Sequence, residues 1–153
     1  MENSSEEQAV NYSYLPDLLG HLVGLAHLQA TQRHAELLKS LNLTPKQFVA
    51  LEFISNNSHI SQREIADHIG TTPAVMVNIL DFLTERSFVE RIRSPKDRRQ
   101  HHIRVTEGGL ALLDELKRIA FEAEAILDEE TGLTAEERIV ALGILQKITK
   151  RCL

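Results

Sequence analysis

Signals that begin helices recur along this 153-residue chain and leave room for few strands. The clearest are capping boxes, in which a Ser or Thr caps the helix and a Glu or Gln three residues later bonds back, and a Thr followed by proline. They stand at Thr44, Ser61, Thr72 and Thr134. Thr106 supplies a further cap, and Pro16 with Asp17 suits the first turn of a helix near Ser13. Six helices are therefore predicted, starting near residues 13, 44, 61, 72, 106 and 134.

Two segments alternate apolar and polar residues in the manner of half-buried strands. They span residues 88–93 and 102–105, with a turn containing Pro95 between them, and His59 with Ile60 is a candidate for a short third strand. The predicted order is helix, helix, short strand, helix, helix, hairpin, long helix, helix. The sequence thus indicates a mainly α fold with a small β-wing.

The predicted hairpin is basic, although the chain as a whole is acidic. Residues 86–104 contain seven lysines and arginines against two acids, a local charge of +5 in a chain of net charge −5. Taken alone, such a charge run is more often a solvated surface. Positive charge concentrated on one projecting loop also suits a polyanion as partner.

Residues 61–86 have the spacing of a helix-turn-helix. Small Ala66 lets two helices approach closely, Gly70 suits a left-handed backbone after the first helix, and Met76 begins the buried stripe of the second. This spacing alone fits any tight helical hairpin. A two-stranded basic hairpin directly after it favours a winged helix-turn-helix that binds DNA.

Five short segments form one pattern along the chain: QREIA at 62–66, GTTP at 70–73, DFL at 81–83, SPKDRR at 94–99 and VTEGG at 105–109. This pattern resembles the MarR family of bacterial transcription regulators, and the likeness extends over residues 14–150. The resemblance implies a winged helix-turn-helix flanked by N- and C-terminal dimerisation helices. It divides the chain into a mobile tail at 1–12, a dimerisation helix at 13–43, a DNA-binding domain at 44–106 and C-terminal dimerisation helices at 107–153.

The resemblance also implies which residues contact double-stranded DNA. The second helix of the motif would lie in the major groove. Its outward face supplies the candidate contacts Thr72, Ala74, Val75, Val77 and Asn78. The helix start at Ser61 would offer backbone N–H groups, and Gln62 a side chain, to phosphate.

In the wing, the resemblance implies that Arg99 enters the minor groove, where a cation reads groove shape. Asp97 would orient Arg99, and Lys96 and Arg98 would contact the DNA backbone. These four residues are the candidate wing contacts.

The recognition helix departs from the family pattern in one respect. Relatives often carry a serine and an arginine where this chain has Val77 and Asn78, and Asp81 adds a negative charge nearby. Without that arginine a bidentate guanine contact is lost. Val77 and Ala74 are expected to pack on thymine methyl groups and Asn78 to pair with adenine, which suggests a half-site biased toward A·T pairs.

The first, fifth and sixth predicted helices carry more apolar residues than one small winged domain can cover. An intramolecular bundle is one interpretation. The resemblance implies instead a two-fold homodimer on a palindromic operator, with half-site centres about 10 base pairs apart. It also implies a repressor released by a small aromatic or anionic effector, which acts through its different affinity for two arrangements of the dimer.

Other classes of function find less support. The chain has no glycine-rich phosphate loop, nucleophile signature or metal-ligand spacing, so an enzyme, a cofactor and a metal site are not expected. The single Cys152 and the lack of a signal peptide or long apolar run predict a cytoplasmic protein without a membrane segment. One alternative stays open. Val77 and the overall acidity also suit a winged-helix protein-interaction module that has lost specific DNA binding.

Overall fold

The computed structural model describes residues 12–57, 60–93 and 101–149. The helices are α1 (Leu19–Leu38), α2 (Pro45–Asn56), α3 (Gln62–His68), α4 (Pro73–Glu85), α5 (Glu107–Thr131) and α6 (Ala135–Thr149). The strands are β1 (Ile60–Ser61), β2 (Val89–Arg93) and β3 (His101–Val105). Short 3₁₀ turns at Leu15–Asp17 and Lys39–Leu41 flank α1. The predicted fold class, mainly α with a small β-wing, is confirmed.

Side-chain caps explain why α2 to α6 begin where the sequence predicts. In each case a hydroxyl oxygen accepts the N–H three residues later, which satisfies one of the unpaired donors at a helix start. The capping residues are Thr44, Ser61, Thr72, Thr106 and Thr134. At the first, second and last of these the reciprocal bond of a capping box is also present.

The first helix begins later than predicted. Pro16 does stand in a first turn, but that turn is the 3₁₀ segment Leu15–Asp17. Leu18 then takes an extended conformation (φ −93°, ψ 108°), which a helix cannot continue through, and α1 starts at Leu19. The prediction of a helix starting near Ser13 is therefore wrong. A 3₁₀ turn and the extended Leu18 come first, and α1 starts only at Leu19.

Two left-handed residues make the tight corners around α4. Gly70 has φ +66°, and the Thr71 N–H donates to the Ala66 carbonyl oxygen at 3.0 Å, as in a Schellman motif. This confirms the predicted role of Gly70 between α3 and α4. Ser87, with φ +60°, ends α4 in the same conformation and directs the chain into β2.

The sheet has the order β1-β3-β2, and both pairings with β3 are antiparallel. Ile103 on β3 lies opposite Ile60 on β1, and Val105 lies opposite Val89. The predicted third strand therefore exists and contains Ile60, whereas His59 lies outside the described residues. Since β1 directly precedes α3, this pairing joins the start of the helix-turn-helix to the hairpin.

One apolar core lies inside the winged part of the molecule. Its most completely buried side chains are Leu38, Leu51, Ile65, Met76, Leu80, Leu83, Val89 and Leu116. Leu38, the last residue of α1, is the one buried residue of that helix, and α6 has none. The winged domain thus builds its core almost without α1 and α6.

At the start of α5, Gly109 packs so closely against the preceding hairpin that no side chain would fit there. The Thr106 hydroxyl donates to the Ser87 carbonyl oxygen at 2.6 Å and accepts the Gly109 N–H at 3.1 Å. A Cβ atom on Gly109 would lie 2.1 Å from the Phe88 carbonyl oxygen and 2.7 Å from a Val105 methyl carbon. Only glycine fits between the two strands at this point.

We expect Gly109→Ala to lower the free energy of unfolding by about 3 kcal/mol, because the added methyl group must displace backbone. Gly108→Ala is the matched control, since its Cβ would meet the Ser87 carbonyl oxygen at an ordinary 3.6 Å. Urea unfolding of both variants, followed by circular dichroism, measures the difference. Equal stability of the two variants would show that the contact at Gly109 is not as tight as described.

Candidate nucleic-acid interface

The helix α4 has one buried face and one exposed face. Met76, Ile79, Leu80 and Leu83 point into the core. On the other side of the first two turns, the side chains of Ala74, Val75, Val77 and Asn78 are exposed. Thr72 is exposed at the start of the helix, where its hydroxyl caps the Val75 N–H. The structure therefore brings together all five residues predicted on the outward face of the recognition helix.

This outward face carries no positive charge. The sequence from Pro73 to Glu85 contains no lysine, arginine or histidine. Arg86 follows directly, but its guanidinium lies over the ring of Phe82, 4.6 Å from the ring centre, in a cation–π contact. Apart from the Thr72 hydroxyl and the Asn78 amide, the exposed start of α4 is consequently apolar.

Asp81 does not present an unbalanced negative charge beside this face. Its carboxylate accepts a hydrogen bond from Arg91 of β2 at 2.5 Å. The two residues lie on different elements, and sequence inspection did not pair them. The ion pair links the recognition helix to the hairpin and leaves the middle of α4 close to neutral.

The start of α3 is held by Ser61 and Glu64. The Ser61 N–H and hydroxyl both donate to one Glu64 carboxylate oxygen, at 2.8 and 2.6 Å, and the Ser61 oxygen accepts the Glu64 N–H. These bonds from Ser61 lower the pKa of Glu64 below its ordinary value of 4.5, with smaller contributions from His102 and His68. The polar groups of Ser61 are thus engaged in the cap.

A shallow cleft joins the start of α3 to the start of α4. Its lining residues are Gln62, Arg63, Asp67 and Pro73. Gln62 is half-buried there, and the Arg63 side chain is strongly exposed, with its Nε 3.9 Å from an Asp67 carboxylate oxygen. Gln62, predicted as a phosphate contact, therefore lies beside the recognition helix.

The base of the hairpin is more nearly neutral than its composition suggests. Arg104 of β3 bonds to Glu90, its cross-strand partner on β2, through both Nε and a terminal nitrogen at 2.9 and 2.6 Å. Arg91 is likewise paired, with Asp81. In the sequence of the hairpin, the remaining excess of positive charge lies at residues 93–99. The predicted wing contacts Lys96, Asp97, Arg98 and Arg99 lie outside the described residues, and their roles stay predictions.

Two further observations concern the described part of the chain as a whole. Nowhere in it do three His, Cys, Asp or Glu side chains come together in a way that could hold a metal ion. None of its helices combines the length and the apolar character needed to cross a membrane.

Comparison with known proteins identifies the family. A family model described as the MarR family matches residues 43–101. A solved structure of the transcriptional repressor CouR bound to a 23-mer DNA duplex matches with a TM-score of 0.84 and 32% identity, over 92% of this chain and 99% of the CouR chain. The chain belongs to the MarR family.

A second structure of CouR and one further relative agree with this membership. CouR bound to p-coumaroyl-CoA matches this chain with a TM-score of 0.80 and 30% identity, over 92% of this chain and 98% of that one. The transcriptional repressor NicR of Pseudomonas putida KT2440 is 29% identical over 130 residues, which are 85% of this chain and 81% of NicR. The resemblance inferred from the sequence is confirmed, and this MarR-family protein is a winged-helix transcription regulator.

The capping bonds of Glu64 predict a pH-dependent contribution to stability. Because the folded-state pKa lies below 4.5, the ionised carboxylate stabilises the fold above that pH, and the contribution is lost as the pH falls through the folded-state value. At this exposed position we expect Glu64→Gln to cost about 0.5 kcal/mol at pH 7 and almost nothing in acid.

Urea unfolding at pH 7 and at pH 3 measures this difference. In a Ser61→Ala background the effect of Glu64→Gln should shrink at pH 7, since the capping partner is gone. An equal Glu64→Gln penalty at both pH values would contradict the capping role of the carboxylate.

Proposed function

We propose that this MarR-family protein is a cytoplasmic repressor that binds a palindromic DNA operator as a homodimer and is released by a small aromatic or anionic effector. The observation that carries the proposal is the exposed outward face of α4, tied by Asp81 and Arg91 to the basic hairpin. The match to DNA-bound CouR over 92% of the chain supports it.

The DNA contacts divide between two elements in this proposal. The start of α4 lies in the major groove, with its exposed side chains toward the bases, and Gln62 approaches phosphate beside it. The wing supplies the charge: Arg99 enters the minor groove with Asp97 orienting it, while Lys96 and Arg98 contact the backbone. Ser61 contributes by holding the start of α3 through its cap.

The homodimer is supported by apolar surface that the winged domain does not cover. Six large apolar residues of α6 are exposed: Ile139, Val140, Leu142, Ile144, Leu145 and Ile148. At roughly 100° per residue they point in all directions around the helix, so one neighbouring surface cannot cover them. The exposed leucines of α1 add a second apolar stripe: Leu18, Leu19, Leu22, Leu25 and Leu28. A second copy of the chain supplies matching surfaces by symmetry.

Within one chain, α6 is held to α5 by charge. Arg138 donates to Asp128 at 2.7 Å and also to Glu124, and these two carboxylates raise the pKa of Arg138. The ion pairs orient α6 without burying its apolar residues. This arrangement suits a helix that completes its packing against a partner subunit.

The effector part of the proposal depends on relatives. CouR has been solved with p-coumaroyl-CoA, an aromatic thioester that carries phosphates. A ligand of this kind relieves repression only if it binds more tightly to the dimer arrangement that fits DNA poorly.

A second candidate function is a winged-helix module that contacts protein in place of DNA. The absence of lysine, arginine and histidine between Pro73 and Glu85, together with the net charge of −5, favours it. Such a module would show no salt-dependent affinity for DNA, so one titration separates the two candidates.

We expect binding to a fluorescent duplex, selected from a random-sequence pool, to weaken steeply with salt because counterions return to the phosphates. Arg99→Ala should reduce the slope of log affinity against log salt by about 2, one contact in each half-site. Arg118→Ala is the matched control, since this exposed arginine lies on α5 and pairs with Glu122 of the same helix. If no duplex is selected even at low salt, the protein-interaction alternative is favoured.

Sedimentation velocity at micromolar concentration is expected to show a dimer. Leu145→Glu should shift it toward monomer, because a buried, unpaired carboxylate is costly in an apolar interface. Val49→Glu adds the same charge at an exposed apolar residue of α2, outside α1 and α6, and should leave the dimer intact. A wild-type monomer under these conditions would contradict the homodimer.

A further inference from the structure

We propose that α4 selects its operator by contacting thymine methyl groups through an apolar patch formed by Ala74, Val75 and Val77. Asn78 is the polar member of the same surface and reads adenine. This inference rests on the proposed function, because it specifies how the DNA sequence is recognised.

The helix lacks the side chains that read guanine. The commonest specific contact in the major groove is an arginine or lysine on the guanine O6 and N7 atoms. No such residue occurs from Pro73 to Glu85. Arg86 lies beyond the end of the helix, with its guanidinium over Phe82. The side chains that make the commonest guanine contact are therefore absent from α4.

The helix is equally poor in groups that read cytosine. Carboxylates accept from the cytosine amino group, and α4 has two of them, Asp81 and Glu85. Asp81 is engaged by Arg91 at 2.5 Å. Glu85 is the last residue of the helix, whereas bases are contacted by the N-terminal turns. The side chains in the first two turns of α4 therefore match thymine and adenine best.

The apolar residues at this end of α4 form one continuous surface. Ala74 precedes Val77 by three positions and Asn78 by four, and Val75 precedes Asn78 by three, so their side chains are neighbours on the helix. Val75 and Val77 expose 38% and 40% of their surface in the isolated chain. Their methyl groups lose contact with water only when another molecule covers them.

A thymine methyl group is the one apolar feature that the major groove presents. An alanine or valine side chain packs against it without a hydrogen bond, and an asparagine amide pairs bidentately with adenine N6 and N7. The surface of Ala74, Val75, Val77 and Asn78 matches both requirements. The structure therefore assigns specificity to methyl contacts and leaves electrostatic affinity to other parts of the interface.

The test uses a duplex selected from a random pool by the full-length protein. Each thymine is replaced in turn by deoxyuridine, which removes only the C5 methyl group and keeps the base pair. At the contacted thymine, replacement in both half-sites should weaken binding roughly tenfold, as expected for one buried methyl group per half-site. Fluorescence anisotropy at fixed salt measures the affinities.

Variants locate the contact on the protein. Val77→Ala and Val75→Ala should each bind the thymine duplex more weakly, and at least one should lose its sensitivity to deoxyuridine at the same position. Val49→Ala changes a somewhat more exposed valine on α2; it is the matched control and should retain the full sensitivity. Alanine is a better helix former than valine, so these variants are expected to fold.

Binding that does not respond to deoxyuridine would overturn the inference while leaving the repressor function in place. An unchanged deoxyuridine penalty in Val75→Ala, Val77→Ala and Ala74→Gly alike would also overturn it, since the methyl group would then act through DNA shape. Failure to select any duplex would instead overturn the proposed function itself. A deoxyuridine penalty that disappears with Val75→Ala or Val77→Ala supports the inference.

Discussion

The junction around Thr106 and Gly109 holds the functional parts of the molecule in one arrangement. Here the N-terminus of α5 lies directly on the carbonyl oxygen of Phe88, with no space for a Cβ atom. The Thr106 hydroxyl bonds to the carbonyl oxygen of Ser87, which ends α4. Since β2 starts immediately afterwards and β3 ends at Val105, all four elements meet within a few residues. A displacement of α5 must therefore carry the recognition helix and the hairpin with it.

A second link strengthens this coupling beside the exposed face of α4 that is proposed to contact DNA. The Asp81–Arg91 pair joins the middle of α4 to β2. A single exposed ion pair contributes little free energy, but together with the tight junction it restrains the relative orientation of helix and hairpin. By contrast, α6 has no buried residue and is attached to α5 mainly through Arg138. The chain thus combines a well-packed winged domain with a C-terminal helix, α6, whose apolar residues are exposed in the single chain.

Sequence reasoning succeeded where the determinants are local. Caps and a left-handed glycine act within four residues, so helix starts and the corner at Gly70 are readable from the chain alone. The start of α1 was missed because Pro16 suits a 3₁₀ turn as well as an α-helix, and no local signal marks Leu18 as extended. The periodicity of α4 also predicted its outward face, since exposure there follows from burial on the opposite side.

Features that depend on packing could not be found in this way. Asp81 counts as an isolated acid in the sequence, and only the folded structure brings Arg91 to it. The closeness of Gly109 to Phe88 depends on where α5 crosses the hairpin, which no short pattern specifies. For the same reason, composition alone does not show that Arg104 forms an ion pair with Glu90. The base of the hairpin is therefore more nearly neutral than its composition suggests.

In the proposed complex with DNA, the distribution of charge would separate affinity from specificity. Phosphate contacts weaken as salt rises, because each one depends on the release of counterions. A methyl contact involves no charge, so its free energy is almost independent of salt. With apolar groups at the start of α4 and the proposed phosphate contacts on other elements, raising the salt concentration is expected to weaken binding to all sequences alike. Under this proposal, a preference for thymine that rests on methyl contacts would persist while total affinity falls, so the protein would leave non-specific DNA without losing its ability to discriminate.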